Sequence, residues 1–149
     1  MPIEGSYEPS PEKWVRDQVE TYERTDGAQA NTLRDTGMPV IILTSLGAKS
    51  GKVRKNPLMR VEHEGRYAVV ASKGGADDHP LWYHNLKAHP HVELQDGRHK
   101  WDMTAQEVTG EEKSEWWQRA VAAYPPYQEY QDKTSREIPV LVLDRVKQE

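Results

Sequence analysis

Two short runs, Pro39-Val40-Ile41-Ile42-Leu43 and Ile138-Pro139-Val140-Leu141-Val142-Leu143, carry only aliphatic residues and proline. A half-exposed strand alternates apolar with polar, and an amphipathic helix repeats every 3.6 residues. These runs do neither, and both are short for a helix. They read as strands covered on both faces, which demands material on each side of the sheet they join. Between them lie hairpin signals. Lys52–Ser72 reads as two strands joined through Glu64-Gly65, with Pro57 inside the first, where a ladder bond is missing or a bulge occurs. His91–Val108 reads as a second hairpin turning at Asp96-Gly97, with Val92 and Leu94, then Trp101, Met103 and Ala105, keeping period two.

Helices fill the remainder. Ser10 is placed to cap a helix over about 11–24, Pro11 suits its first position, and Val15, Val19 and Tyr22 make a narrow apolar stripe that Trp14 widens. The segment Asp77–His89 predicts a short helix with Asp77 or Asp78 as cap. Thr109 and Glu112 have the spacing of a capping box for a third helix, and Pro125–Lys133 supplies a further helical turn. The order is helix, three strands, short helix, two strands, helix, strand. Adjacent hairpins favour antiparallel pairing. The expectation is a mainly β, α+β domain: a small barrel of about six antiparallel strands, its core spanning about 38–146, flanked by helices.

A chain of 149 residues with 36% hydrophobic and 30% charged side chains fits one domain with a lean core, residues 1–149. No segment approaches the ~20 apolar residues of a membrane-spanning helix. The N-terminus shows no signal pattern and reads as unprocessed. Cysteine is absent, which removes disulfides, thiolate nucleophiles and Cys-ligated metal sites, and is compatible with a reducing cytoplasm. The net charge of −4 argues against a general nucleic-acid binder. Six histidines are scattered, and His89 and His91 in a turn read as structural. No metal site is expected, and no Ser-His-Asp arrangement has supporting context.

Positive charge is instead local. Lys49, Lys52, Arg54, Lys55 and Arg60 fall within a dozen residues, and the next acid is Glu62. A bound anion and a solvated basic strand face explain this equally well on charge alone. The stretch Thr44–Pro57 looks like a phosphate-binding loop but fails as one. Gly47 and Gly51 have three residues between them rather than four, Val53 follows Lys52 where a hydroxyl is needed, and Pro57 excludes the helix. What survives is glycine-exposed backbone N–H groups with Lys49, Ser50, Arg54 and Lys55 able to meet phosphate or carboxylate oxygens. A second such junction, Ser72-Lys73-Gly74-Gly75, leads directly to Trp82 and Tyr83. Together the two suggest a ligand with an aromatic head and an anionic tail.

Three segments, Leu43–Leu58, Val69–Pro90 and Ala122–Leu143, resemble in the right order the deazaflavin-dependent nitroreductase family, actinobacterial oxidoreductases that use coenzyme F420, an 8-hydroxy-5-deazaflavin with a phosphodiester and an oligoglutamate tail. The resemblance runs from about Trp14 to Val146 and implies a flavin-reductase-like, FMN-binding-like split β-barrel. It implies that Ala48, Lys49, Ser50, Arg54, Lys55, Asn56, Pro57, Leu58 and Met59 line the phosphate and glutamate arm. Val70, Ala71, Ser72 and Lys73 would run along the deazaflavin and its linker. Leu81, Trp82, Tyr83, His84 and Asn85 would flank the rings, and Tyr127 would close over them. His84 stands where the family pattern has an apolar residue. The implied reaction passes a hydride from reduced F420 to a flat small-molecule acceptor: a quinone, a nitroaromatic or a conjugated enone. An FMN- or haem-binding protein on the same barrel, and a non-catalytic carrier of the coenzyme, are the alternatives. Tyr124, Tyr127 and Tyr130 are spaced by three. Tyr124 reads as pocket wall, while Tyr127 and Tyr130 read either as wall or as phenols donating to the developing oxyanion. The expected location is the cytoplasm, with any membrane association peripheral, at the inner face of the plasma membrane.

Overall fold

The computed structural model describes residues 3–33 and 36–146. In chain order it contains α1 (Lys13–Arg24), β1 (Val40–Leu46), β2 (Val53–Met59), β3 (Glu62–His63), β4 (Arg66–Val70), a short turn (Lys73–Gly75), α2 (Leu81–Ala88), β5 (His91–Asp96), β6 (His99–Glu107), α3 (Gly110–Ala123), α4 (Pro126–Lys133) and β7 (Val140–Arg145). The strands form one sheet in the order β2-β1-β5-β6-β7-β4-β3, and every neighbouring pair is antiparallel.

The two edge strands, β2 and β3, are consecutive in the chain, with only Arg60 and Val61 between them. The Arg60 N–H donates to the Pro39 carbonyl beside β1 (3.0 Å), while the Val61 carbonyl accepts from the Ala68 N–H of β4 (2.9 Å). Neighbouring residues therefore bond to opposite ends of the strand order, which requires the sheet to curl into a half-barrel. The segment Lys52–Ser72 is three strands and not the two-stranded hairpin its sequence suggests. Only the two-residue β3 pairs with β4 across Glu64-Gly65, and β2 pairs with β1 instead. Pro57 sits on the edge strand β2 opposite Ile42, in an unbroken register with no bulge, where a missing donor is tolerated.

Curling gives β1 and β7 two buried faces, and this is why they do not alternate. Val40, Ile42, Val140 and Val142 pack outward with Val15, Val19 and Tyr22 of α1, Trp116 and Ala120 of α3, and Tyr127 of α4. Ile41, Leu43, Leu141 and Leu143 point inward with Val92, Leu94, Met103 and Tyr67, and Trp82 and Leu86 of α2 join this second cluster. Each fully buried Leu, Ile or Val contributes about 1.5–3 kcal/mol. The curl is also tied by side chains. Arg60 Nε donates to Asp96 Oδ2 (2.9 Å), which also accepts from the Tyr67 hydroxyl (2.5 Å).

The expected helix caps are not made. Helix α1 begins two residues after Pro11, and Ser10 Oγ accepts from the Glu12 N–H rather than from within the helix. Pro80 holds the cap position of α2, while Asp78 pairs with Lys73 (3.1 Å). Thr109 precedes α3 without a side-chain cap bond, and Glu112 turns towards Arg66 (3.9 Å). In two of the three, an acid read as a helix-end partner pairs instead with a cation outside the helix.

Candidate functional site

Strand registers place the two glycine-lysine junctions at one end of the half-barrel. Running outward from β1, each antiparallel step reverses direction, so Leu46, Val53, His91, Glu107, Val140 and Val70 share an end. The loop 47–52 leaves from Leu46, and the turn Lys73–Gly75 leaves after Val70. Helix α2 follows the second of them in sequence and lies across this end in space. Its Trp82 and Leu86, one helical turn apart, enter the interior core, and Asn85 reaches the first loop, its Oδ1 accepting from the Ala48 N–H at 2.9 Å.

The first loop is a closed turn. The Gly47 N–H donates to the Lys52 carbonyl (2.8 Å) and the Gly51 N–H to the Gly47 carbonyl (3.0 Å). The Lys52 N–H donates to Ser50 Oγ at 3.1 Å. A Cβ on Gly47 would fall 2.5 Å from that same Oγ, and Gly51 has a φ of +67°, so both glycines are required by the turn itself. The amides expected to face an anion are thus largely used internally. Among the described residues in this loop, only Lys49 and Ser50, at the tip, have no such bond.

Most of the basic cluster is paired, by acids distant in sequence. The N-terminal segment adds along β2, with the Glu8 N–H donating to the Val53 carbonyl (2.9 Å) and the Val53 N–H to the Ser6 carbonyl (2.8 Å). This sets Glu8 against Arg54 (2.6 Å) and near Lys52 (3.9 Å). Lys55 pairs with Glu23 of α1 and lies over the Tyr7 ring. Arg60 belongs to the curl described above. Among the described residues, Lys49 alone of the five has no ion pair. Period two also splits β2: Leu58, and with it Arg54 and Asn56, is on the interior side, while Lys55, Pro57 and Met59 are on the helix side. Met59 ends the strand about 20 Å from Val53.

In the second loop, Val70 packs in the outer core and Ala71 in the inner one, Ser72 is buried, and Lys73 is exposed. Gly75 (φ +82°) is pressed against α4, where a Cβ would meet the Tyr130 carbonyl oxygen at 2.9 Å. A residue absent from the sequence expectations dominates this loop. Arg136 donates to the carbonyls of Ala71 (3.1 Å), Ser72 (2.7 Å) and Ala76 (2.7 Å), and to His79 Nδ1 (2.9 Å). Its only signal in sequence was its place inside the third resembling segment.

Leu81 is 78% exposed, His84 is exposed, and Trp82 is only 7% exposed. The Tyr83 hydroxyl donates to Glu107 Oε1 (2.6 Å); partial burial, then that carboxylate, pushes its pKa up to about 12. Tyr127 is buried in the outer core, and burial raises its pKa strongly. The Tyr124 and Tyr130 hydroxyls share a hydrogen bond of 3.0 Å, and burial followed by that contact pushes Tyr124 up to about 12. The structure therefore gathers Ala48, Lys49, Ser50, Ser72, Lys73 and the outer face of α2 at one end, and leaves Lys55, Pro57 and Met59 off it. Among the described residues there is no cluster of three or more His, Asp or Glu able to hold a metal, and no helix long and apolar enough to cross a membrane.

Comparison with known proteins identifies the family. The sequence matches the F420H2-dependent quinone reductase family over residues 14–145. The chain belongs to that family. Its coenzyme is therefore F420, and its reaction is the reduction of a quinone-type acceptor by F420H2. It is similar to an F420H2-dependent quinone reductase of Mycobacterium tuberculosis, 39% identical over 110 residues that cover 72% of this chain and 74% of the relative. Among solved structures it is similar to the F420-H2 dependent reductase FDR-A, at 57% identity and a TM-score of 0.68, covering 71% of this chain and 94% of that one. A chain described as a domain-swapped dimer is 52% identical with a TM-score of 0.71, covering 91% of this chain and all of that one. The haem storage protein HutZ of Vibrio cholerae, at 10% identity and a TM-score of 0.57, shares the fold alone, which places the half-barrel among split β-barrels.

Proposed function

We propose that F420 is held across the end of the half-barrel that carries both glycine-lysine loops, with its anionic arm on the first loop and its ring system against α2. The observation that supports this most is their convergence on a single helix, through Asn85 on one side and the chain leading from Gly75 on the other. The residues present fit the group. Arg54 already donates to a carboxylate oxygen, that of Glu8, at 2.6 Å, and a glutamate arm offers the same acceptor. Lys49 and Lys73 add positive charge at the same end.

Bound F420H2 supplies the hydride that reduces the acceptor. The chain's own contribution is position and charge. Lys49, Ser50 and Arg54 bind the arm, while Ser72 and Lys73 meet the linker. Leu81, Tyr83, His84 and Asn85 offer the accessible side of α2, because Trp82 is turned into the core. Tyr127 serves as wall, being enclosed. Tyr130, linked to Tyr124 through its hydroxyl, has its backbone against Gly75 of the second loop, and Tyr124 stays protonated at neutral pH. The pair is therefore able to donate a hydrogen bond to a reduced acceptor's oxygen. Quinones partition into lipid, so the reading includes peripheral contact with the inner face of a plasma membrane.

Titration calorimetry with F420, and turnover of F420H2 with a soluble quinone, test the assignment. Binding that weakens in Lys49→Ala and Arg54→Ala while the folded state persists is the expected result. Unchanged binding in both would remove the rim from the account. Vesicle co-sedimentation tests the membrane contact separately, and protein that stays wholly in the supernatant would end that part.

A further inference from the structure

Arg136 makes more contacts to the second loop than any residue of the loop makes to itself, and nothing in the proposed chemistry uses it. Three carbonyl oxygens, those of Ala71, Ser72 and Ala76, converge on its guanidinium, with His79 Nδ1 as a fourth acceptor. A planar fork of five N–H donors matches such a set, whereas a lysine ammonium offers three donors from one point. The arginine is itself fixed. Gln131 Nε2 donates to the Arg136 carbonyl (2.9 Å), and Gln131 Oε1 accepts from the Ile138 N–H (2.9 Å). Gln131 of α4 therefore holds the backbone on either side of Glu137, ahead of β7, and the Arg136 side chain launched from it shapes residues 71–79.

We propose that Arg136 is a positioning residue for F420 binding, holding Ser72 and Lys73 in register with the coenzyme, and that His79 must be neutral for it to do so. The inference rests on the rim assignment above. A guanidinium only donates, so Nδ1 of His79 must be the bare nitrogen of the ring. Protonation would remove that acceptor and set two cations 2.9 Å apart. The groups facing His79 are Arg136, Asp78 of the same loop, Tyr83 and His84 of α2, and Glu107 of β6. Desolvation, then the charges of Arg136 and His84, lower the His79 pKa, while Glu107 and Asp78 work against them. A histidine whose folded pKa lies below its unfolded value of about 6.5 contributes stability that is complete above that value. The contribution is lost as pH falls towards the lowered folded pKa. The loop, and with it F420 affinity, weakens in acid.

The test measures F420 affinity by calorimetry from about pH 8 to about pH 5.5 in wild type, Arg136→Lys and His79→Phe, each checked for a cooperative melt. Phe keeps a ring against Tyr83 and offers no nitrogen. Arg136→Lys is expected to bind F420 about tenfold or more weakly at neutral pH, with kcat at saturating coenzyme little changed. His79→Phe is expected to bind more weakly than wild type at neutral pH and to lose the extra acid dependence. Titration of the coenzyme itself is common to all three proteins and cancels. Wild-type affinity in folded Arg136→Lys overturns the positioning role. A wild-type acid slope in His79→Phe overturns the requirement for neutral His79. If Arg136→Lys does not melt cooperatively, His79→Phe decides alone. A wild type that binds no F420 at any pH overturns the rim assignment instead, which separates the two failures.

Discussion

Gly74 and Gly75 are adjacent, both have positive φ, +64° and +82°, and only one of them is enclosed. An added Cβ on Gly74 meets nothing within 4 Å, whereas on Gly75 it lies 2.9 Å from the Tyr130 carbonyl oxygen and 3.1 Å from its Cα. Alanine at either position takes a left-handed backbone, at a cost of about 1–2 kcal/mol. At Gly75 the obstruction is helix backbone rather than a movable side chain, so α4 must shift, which adds about 1–3 kcal/mol of overpacking. Gly74→Ala should therefore cost about 1–2 kcal/mol and Gly75→Ala about 2–5 kcal/mol. At about 2–4 °C per kcal/mol for a domain near this size, the melting points should fall by roughly 2–8 °C and roughly 4–20 °C. Urea denaturation gives the comparison directly, because both variants should change the midpoint and leave the slope alone. Gly75→Ala should also weaken F420 binding more than Gly74→Ala, since α4 carries Tyr127 and Tyr130. Equal midpoints for the two variants would refute the claim that the turn is packed against α4.

Lys49→Ala should weaken F420 binding by about 1.5–3 kcal/mol at low salt, and Lys55→Ala, on the helix side and paired with Glu23, should do markedly less; salt titration of calorimetric affinities checks both. Glu8→Gln should tighten coenzyme binding, because Arg54 then meets the arm without giving up a carboxylate; an affinity unchanged or lower would show that the two anions do not share the guanidinium. Asp96→Asn should destabilise the fold by about 1–3 kcal/mol through Arg60 and the Tyr67 hydroxyl, while F420 affinity in the folded protein stays at the wild-type value; denaturation and calorimetry on one preparation separate the two effects.

The strands, their antiparallel pairing and the stripe of α1 were legible because burial on two faces, period two and period 3.6 are local patterns. Val15, Val19 and Tyr22 are buried as their spacing requires, and the unalternating runs became β1 and β7. The error at Arg60–Val61 has a simple cause. A strand that passes from one sheet edge to the other and a strand that turns within a hairpin present the same few residues, and only closure of the curl distinguishes them. The caps failed because Asp78 and Glu112 pair with cations outside their helices, Lys73 of the preceding loop and Arg66 from a distant strand.

The candidate site divides the same way. Glycines, lysines and their order along the chain were enough to reveal the family, and the glycines are fixed by turns that must close. Sequence alone set the residue inventory: which segments are strand, where glycine is obligatory, and that positive charge gathers on an acidic chain. The tertiary structure decided which of those charges are committed elsewhere, turning Trp82 inward, spending Lys55 on Glu23 and Arg54 on Glu8, and bringing Arg136 onto a loop some sixty residues earlier in the chain. Hydrogen bonds and ion pairs act over a few ångströms in space, and separation along the chain is no guide to that distance until the sheet has curled.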